Sequence, residues 1–538
     1  MTGVIRSNRC GTCRTRKVKC DEAKPVCGPC AKGNRACKDT ISRYKFTEPK
    51  AASATPQSEA RSRKTLEPCT EIAVLSSAET EDGGSFQTMR FSRPKRKPAK
   101  LPLGDPVRQS PLPRHPSFST IETLQLTLAE SFTYRSPGLR LSVIANYIIE
   151  IPPRIGHSVA LDDAINCLVN CYTLVCHGSP PGLDPKQARL YTMALFSLQR
   201  ALADPIESYS DNTLGAVTIL GHVEVYGGGA QDARPNYIQH AGGAVKMVQV
   251  LGPKYFRSKF AKLLYVHSRQ LSIAVATVRG EECFLHTPEW REISCTELIR
   301  SPTAWISDQL GRWMTAFPSL VKKVRHCLAS PEDMDPIVIL RDAQQLRRGF
   351  QEIAEFVEES MRNGIDVIKL PSAHSDLMTP IIYQYATRDL ASICVNFWGF
   401  SIVLDTIMAK FMPPDSPPSV FENLRNRIIS ARLHIYMSYE YSEQFRPLGT
   451  QYMSAPLIMA YFGATNEEKI WSMHKLWDIG ELVPRSKYIW GPVALEFISR
   501  YFIGEPVHVA SGVMDQPNSY EVAFNENMRR FADHAVQE

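Results

Sequence analysis

Six cysteines crowd the start of the chain: Cys10, Cys13, Cys20, Cys27, Cys30 and Cys37. They read CxxC, six residues, Cys, six residues, CxxC, six residues, Cys, so the second half repeats the first gap for gap. A duplicated three-cysteine half-site has a direct chemical reading. Zinc takes four tetrahedral ligands, and thiolate suits it. Six thiolates cannot fill two separate tetrahedra, but they fill two that share two sulfurs. The spacing therefore fits a cluster of two zinc ions. The segment needs such a centre, because its apolar residues are few and small, chiefly Val18, Val26 and some alanines. Chains this short rarely fold without metal or disulfides. The other framework for closely spaced cysteines is a disulfide-bonded secreted knot. The polar, basic opening MTGVIRSNR lacks the apolar core of a signal peptide and speaks against it.

The string CGTCRTRKVKCDEAKPVCGPCAKGNRAC resembles the fungal binuclear zinc cluster of transcription regulators. The likeness covers all six cysteines, the basic run between Cys13 and Cys20, and Pro25 ahead of the fourth cysteine. It implies that Cys10 and Cys27 bridge the metals, that Cys13 and Cys20 complete one site, and that Cys30 and Cys37 complete the other. It also implies that Arg16 and Lys17 reach base edges in the major groove and that the target is a CGG-like triplet. Guanine N7 and O6 are acceptors that Arg or Lys satisfies. Arg9, Arg14 and Lys19 are then expected at phosphates, which position the protein without specifying sequence. Lys24, Lys32, Arg35 and Lys38 are further surface cations.

The charge distribution supports a nucleic-acid partner. Residues 1–118 hold 24 Lys and Arg against 11 Asp and Glu, whereas residues 119–538 hold 38 against 44. Part of the basic excess offsets the net negative charge of six thiolates around two zinc ions. The rest extends well past the cluster, as in a nucleic-acid-binding end. Arg43 and Lys45 are candidates for a basic arm that follows Cys37.

Residues 46–118 read as a disordered basic linker, rich in Ser, Pro, Lys and Arg. Within it, SRPKRKPAK places Arg93, Lys95, Arg96, Lys97 and Lys100 in an extended, proline-bracketed run that reads as a nuclear-import signal. No sustained apolar heptad runs between Tyr44 and Phe118, so a dimerising coiled coil is not expected there.

From residue 119 the texture is helical. Ser119 and Glu122 form a capping-box pattern. Asp184-Pro185 opens a helix carrying Tyr191, Leu195, Leu198 and Leu202, which Asp204-Pro205 closes. Ser210 caps a second helix that runs to Gly227-Gly228-Gly229. A third carries His240, Ala244, Val248 and Leu251 and stops at Gly252-Pro253. The stretches 191–205, 211–227, 237–253 and 391–411 resemble the helical fungal transcription-factor domain, which implies a regulatory role and no catalytic residues. The most apolar run, Ile393 to Leu404, is shorter than a membrane span needs, so a buried helix is expected.

Other constellations read as structure. Cys167, Cys171, Cys176 and His177 sit among core-type neighbours. GHSVA at 156–160 lacks the final glycine of a nucleophile elbow and follows Pro152-Pro153 instead of a strand. The expected architecture is a small zinc-stabilised binuclear cluster domain (residues 1–45), the disordered linker (46–118) and a large all-α domain (119–538). The expected function is a nuclear, sequence-specific DNA-binding regulator of transcription, not an enzyme, with two zinc ions per chain. Its expected partners are double-stranded DNA, transcription machinery or co-regulators, and a second copy paired through the helical domain, with no membrane. The rival reading is a helical ligand-binding or catalytic domain that carries the DNA-binding module incidentally.

Overall fold

Helix ends in this chain are set by the residues that can cap them. The computed structural model describes residues 12–13, 16, 18–21, 27–33, 35, 120–226, 236–373, 378–481 and 490–505, with the backbone alone at 120 and 236–240. The expected linker, the import run 92–100, the Ser119 cap and the triple glycine lie outside these residues. The chain divides into two units, Met1–His115 and Pro116–Glu538. In the first, the described residues include the short helix α1 (Gly28–Lys32) and helical backbone at Thr12 and Cys13.

The second unit is helical. Its first half comprises α2 (Thr120–Phe132), α3 (Val159–Cys176), α4 (Pro185–Ala203), α5 (Asp211–Val225), α6 (Asn236–Leu251), α7 (Lys259–Arg279) and the short α8 (Pro288–Arg291). Then follow α9 (Pro302–Met314), α10 (Phe317–Ala329), α11 (Pro336–Gly349) and α12 (Gln351–Arg362). A hairpin of β1 (Val367–Pro371) and β2 (Ile381–Tyr385) precedes α13 (Arg388–Phe411), α14 (Pro418–Met437) and α15 (Tyr439–Glu443). Among the described residues there follow α16 (Ser454–Tyr461), α17 (Asn466–Ile479) and α18 (Pro492–Phe502).

The sequence signals at the three expected helices hold. The Asp184 carboxylate accepts from the Gln187 N–H at 2.6 Å and opens α4. Ser210 Oγ accepts from the Thr213 N–H at 3.1 Å and opens α5. Gly252 ends α6 with a φ of 73°, a left-handed conformation that glycine adopts without a Cβ penalty. Along α4, Tyr191 and Leu198 are buried and Leu195 and Leu202 half-buried, the expected face.

Helix α13 organises the second half of the unit. It is apolar on every side, as a helix surrounded by protein must be. It packs against α9, α11, α14 and α16. At Gly399 an added Cβ would lie 3.0 Å from Met459 Sδ and 3.3 Å from Pro456 Cα, so the missing side chain sets how closely α13 meets α16. Both α3 and α13 have the length and apolar character of a membrane span. This corrects the dozen-residue estimate from Ile393 to Leu404, because the helix continues for 24 residues. In α13, 89% of the most apolar window is covered by the protein itself, and in α3 56%. The apolar length is that of core helices.

Among the described residues, the β-hairpin is the one sheet. Val367 pairs with Tyr385 and Lys369 with Tyr383 in an antiparallel register. Val367, Tyr383 and Tyr385 face the core. Tyr383 Oη lies 2.7 Å from His434 Nδ1, and Tyr385 Oη lies 2.6 Å from Ser438 Oγ, which anchors the hairpin to α14. Five-residue strands leave too short an alternation to stand out beside long helical periods.

Distant segments are tied by buried polar bonds. The Leu448 N–H donates to Gly138 O at 3.3 Å. A Cβ on Gly138 would run into the backbone of Phe445 and Arg446, so the two segments touch only because residue 138 has none. Tyr226 Oη donates to Leu448 O at 2.8 Å. Buried Arg325 donates to Thr277 O at 2.7 Å and Tyr501 O at 2.9 Å.

An ionic knot joins α7 to α9. Asp308 accepts from Arg269 Nη1 and from Arg312 Nε, each at 2.7 Å. Arg312 also donates to Arg291 O and Ile293 O, fixing the chain after α8. Burial alone would raise the Asp308 carboxyl, but Arg269 and Arg312 outweigh it and hold the group below its ordinary value. A depressed folded-state value stabilises above the unfolded carboxylate range, near pH 4, and that stability is lost as pH falls through the folded value. Asp308→Asn should therefore destabilise the protein at neutral pH by about 3 kcal/mol, because Arg269 stays buried without its anion. Urea denaturation of both proteins between pH 7 and 3 should show the gap closing below about pH 4. A gap that stays constant with pH would refute the ionic account.

Candidate metal centre and nucleic-acid interface

The cysteine segment is built as two matching turns. The Cys13 carbonyl accepts from the Val18 N–H at 3.1 Å, and the Cys30 carbonyl accepts from the Arg35 N–H, also at 3.1 Å. Each bond spans five residues, from the middle cysteine of its half-site. The duplication in the sequence is thus a duplication of backbone form. In the second half, Cys27 is extended and its carbonyl accepts from the N–H groups of Cys30 and Ala31, which starts α1 with Pro29 in its first turn.

Asp21 links the halves. Its two carboxylate oxygens accept from the Gly28 N–H at 3.1 and 2.9 Å, satisfying a donor at the start of α1. A Cβ at residue 28 would run into Asp21 Oδ2, so a larger residue there would push the carboxylate off the N–H it accepts from. Sequence reading missed Asp21. Its signal is local: an acidic residue directly after the third cysteine and a Gly-Pro pair directly after the fourth.

Four sulfurs converge. Cys13, Cys20, Cys27 and Cys30 are all buried, with Val18 packed against them. The Sγ atoms of Cys13, Cys20 and Cys27 lie within 4.8 Å of one another. Cys13 Sγ is 3.6 Å from Cys27 Sγ and 3.8 Å from Cys30 Sγ. A tetrahedron with Zn–S arms of 2.3 Å has edges of about 3.8 Å. The donor set and its spacing therefore fit zinc. Cys13 lies close to Cys27, as one shared cluster requires, while its 3.8 Å separation from Cys30 is shorter than the expected placement of those two on different metals implies. Cys10 and Cys37 lie outside the described residues.

Of the expected DNA contacts, Arg16 and Lys19 are described, and both are exposed on the turn between Cys13 and Cys20. Arg9, Arg14, Lys17, Arg43 and Lys45 lie outside the described residues. Lys32 and Arg35 are also exposed, at and just beyond the end of α1.

In the helical unit the other sequence candidates have structural roles. Ser158 caps α3, its Oγ accepting from the Leu161 N–H at 3.4 Å, and residues 152–154 form a 3-10 turn where an elbow would need a strand. Cys167 and Cys171 are buried in α3, and Cys167 accepts from Gln187 Nε2 at 3.3 Å. Burial pushes the Cys167 thiol up to about 12, which makes it a poor thiolate at neutral pH.

Comparison with known proteins bears on the first unit. An uncharacterized protein of Emericella nidulans, AN5342, is 30% identical over 175 residues, covering 30% of this chain and 37% of that protein. The C6 finger domain transcription factor hasF of Aspergillus fumigatus is 68% identical over 28 residues, 5% of this chain and 4% of that protein. The transcription activator AMTR1 of Alternaria alternata shares the same identity over 28 residues, with the same coverage. The chain thus matches little more than a third of the first relative's length and a small fraction of the other two. No solved structure matches it. Residues 9–45 match a family whose description agrees with the sulfur geometry: they are a fungal Zn(2)-Cys(6) binuclear cluster domain, a zinc-binding domain.

Proposed function

We propose that this chain is a nuclear, zinc-dependent, sequence-specific DNA-binding regulator of RNA polymerase II transcription. The observation that carries the reading is the convergence of Cys13, Cys20 and Cys27 beside the exposed cations Arg16 and Lys19, within a Zn(2)-Cys(6) domain. Two of the similar proteins are named as a transcription factor and a transcription activator, in support. Two zinc ions would be held by the six cysteines, with Cys10 and Cys27 shared. When bound, the metal ions act structurally, since shared thiolates leave no position for water or substrate.

Arg16 and Lys17 read base edges of a CGG-like triplet. Arg9, Arg14 and Lys19 hold phosphates, and Arg43 and Lys45 extend the contact along the duplex. The run of Arg93, Lys95, Arg96, Lys97 and Lys100 directs import to the nucleus. The helical unit regulates, contacts transcription machinery or co-regulators and pairs with a second copy, and the targets are a metabolic or secondary-metabolite gene set. Selection of bound DNA from a random pool by the full chain tests the whole reading. Enrichment of a CGG-like triplet is expected, and a pool that stays random rejects it.

Metal analysis of the purified chain should return two zinc ions. Substituting Cys27 by Ser should release both on chelator titration, whereas substituting Cys13 should release one more readily than the other. Equal, stepwise release in both variants would reject shared sulfurs.

Lys17→Ala should lower affinity for the selected site by about 1–3 kcal/mol and relax preference at one guanine. Arg14→Ala should weaken all sequences alike and flatten the salt dependence. Equal loss on selected and random DNA for Lys17→Ala would overturn the assignment.

Sedimentation of residues 1–118 should give a monomer and the full chain a dimer. A stable dimer of the fragment would place the pairing element in residues 46–118.

A further inference from the structure

Helices α11, α13 and α14 enclose an open groove of about 400 Å³. One wall is apolar and pliable, formed by Met408, Met412, Val420 and Leu424. The other carries three cations, Arg347 and Arg348 from α11 and Arg427 from α14. Asp405, only 1% exposed, lies behind them on α13. Its Oδ2 accepts from Arg427 Nε at 2.9 Å, and its Oδ1 accepts from Arg347 Nη1 at 2.9 Å and from Arg427 Nη2, which closes the fork.

The charges do not balance. Two guanidinium groups share one carboxylate, and Arg348 has no carboxylate partner among the described residues. Asp405 engages one N–H of Arg347 and two of Arg427, out of five donors on each. Three arginines against one buried acid leave the groove with surplus positive charge beside a greasy wall. This combination matches one ligand chemistry, an anionic head on an apolar body. The volume is that of ordinary small-molecule sites, which pair apolar lining with a few placed polar groups. Methionine side chains adapt to the shape of what they contact. Arginine recognises carboxylate through paired N–H donors.

We propose that this groove binds a small amphipathic carboxylate, a fatty or arylalkanoic acid, with its chain on Met408, Met412, Val420 and Leu424 and its carboxylate on the arginines. Arg348 supplies the uncommitted cation. Arg347 and Arg427 are held in place by Asp405, so the receiving edge is preorganised. The site belongs to the helical unit and does not depend on the DNA-reading proposal.

The test is calorimetric titration of the full-length protein with decanoate and 4-phenylbutyrate, and with decanol and 4-phenylbutanol as uncharged counterparts. Saturable binding of one acid per chain is expected from at least one carboxylate, with its alcohol about tenfold weaker or worse. Arg348→Ala should cost about tenfold in carboxylate affinity without lowering the melting temperature, since that exposed side chain makes no hydrogen bond or ion pair among the described residues. Val420→Trp should fill the groove and abolish binding, while circular dichroism reports the fold. Zinc content and DNA binding should be unchanged in both variants, which separates this site from the cluster. Acid and alcohol binding alike, full affinity in either variant, or no saturable binding of either acid would overturn the proposal. Binding of an acidic peptide in place of both acids would overturn it equally.

Discussion

The amino-terminal unit has sulfur where other domains have a hydrocarbon core. Its buried side chains among the described residues are four thiols, with Val18 the apolar residue packed on them. Hydrophobic burial on that scale cannot offset the conformational entropy of ordering the segment. Bonds from thiolate to zinc therefore carry the folding free energy, on the order of 10–16 kcal/mol per structural site in small zinc peptides. Everything proposed for DNA follows from that constraint. Arg16 and Lys19 stand on a turn whose shape is set at one end by Cys13 and at the other by Cys20. Asp21 and Gly28 add one charge-assisted contact between the halves, a modest contribution beside the metal bonds.

The helical unit solves the opposite problem. It has an extensive apolar core, and a few buried charges are threaded through it. Asp308 between Arg269 and Arg312, Asp405 between Arg347 and Arg427, and Arg325 on two carbonyls each join elements that are distant in sequence. A buried ion pair contributes little net stability over an apolar one, but breaking it is costly. Each such group therefore penalises any packing that separates it from its partner. The Asp405 pair differs from the others in facing a groove, and there the same device holds cations in reach of solvent.

The metal centre was legible because its signal is covalent spacing, which survives without knowledge of the fold. The duplicated cysteine gaps returned as duplicated backbone turns at Cys13 and Cys30. The helix limits at Asp184, Ser210 and Gly252 were legible because caps are local chemistry. The hairpin escaped because its alternation lasts five residues per strand and its inward side chains, Tyr383 and Tyr385, find partners on α14, about fifty residues away. The groove escaped for a stronger reason. Its arginines and Asp405 come from three helices, and no local pattern marks residues that meet only in the packed state. The apolar run from Ile393 stops at Leu404 because Asp405 follows, yet the helix expected over 391–411 goes on, since Asp405 is buried against its arginines.

The bond between Leu448 and Gly138 bears on the order in which a newborn chain can become functional. Roughly 300 residues separate its partners, which at a synthesis rate of about 10 residues per second is half a minute of translation. Until residue 448 has left the ribosome, the segment around Gly138 cannot find its seat, and neither can Tyr226, which donates to the same residue. The cysteine segment needs only its own first forty residues. During each round of synthesis there is accordingly an interval in which the metal-binding end is complete and the helical unit is still open, its apolar helix α13 not yet met by α16. Chaperone demand should fall on that interval, and destabilising changes near residues 445–448 should act more on yield than on the function of the molecules that fold.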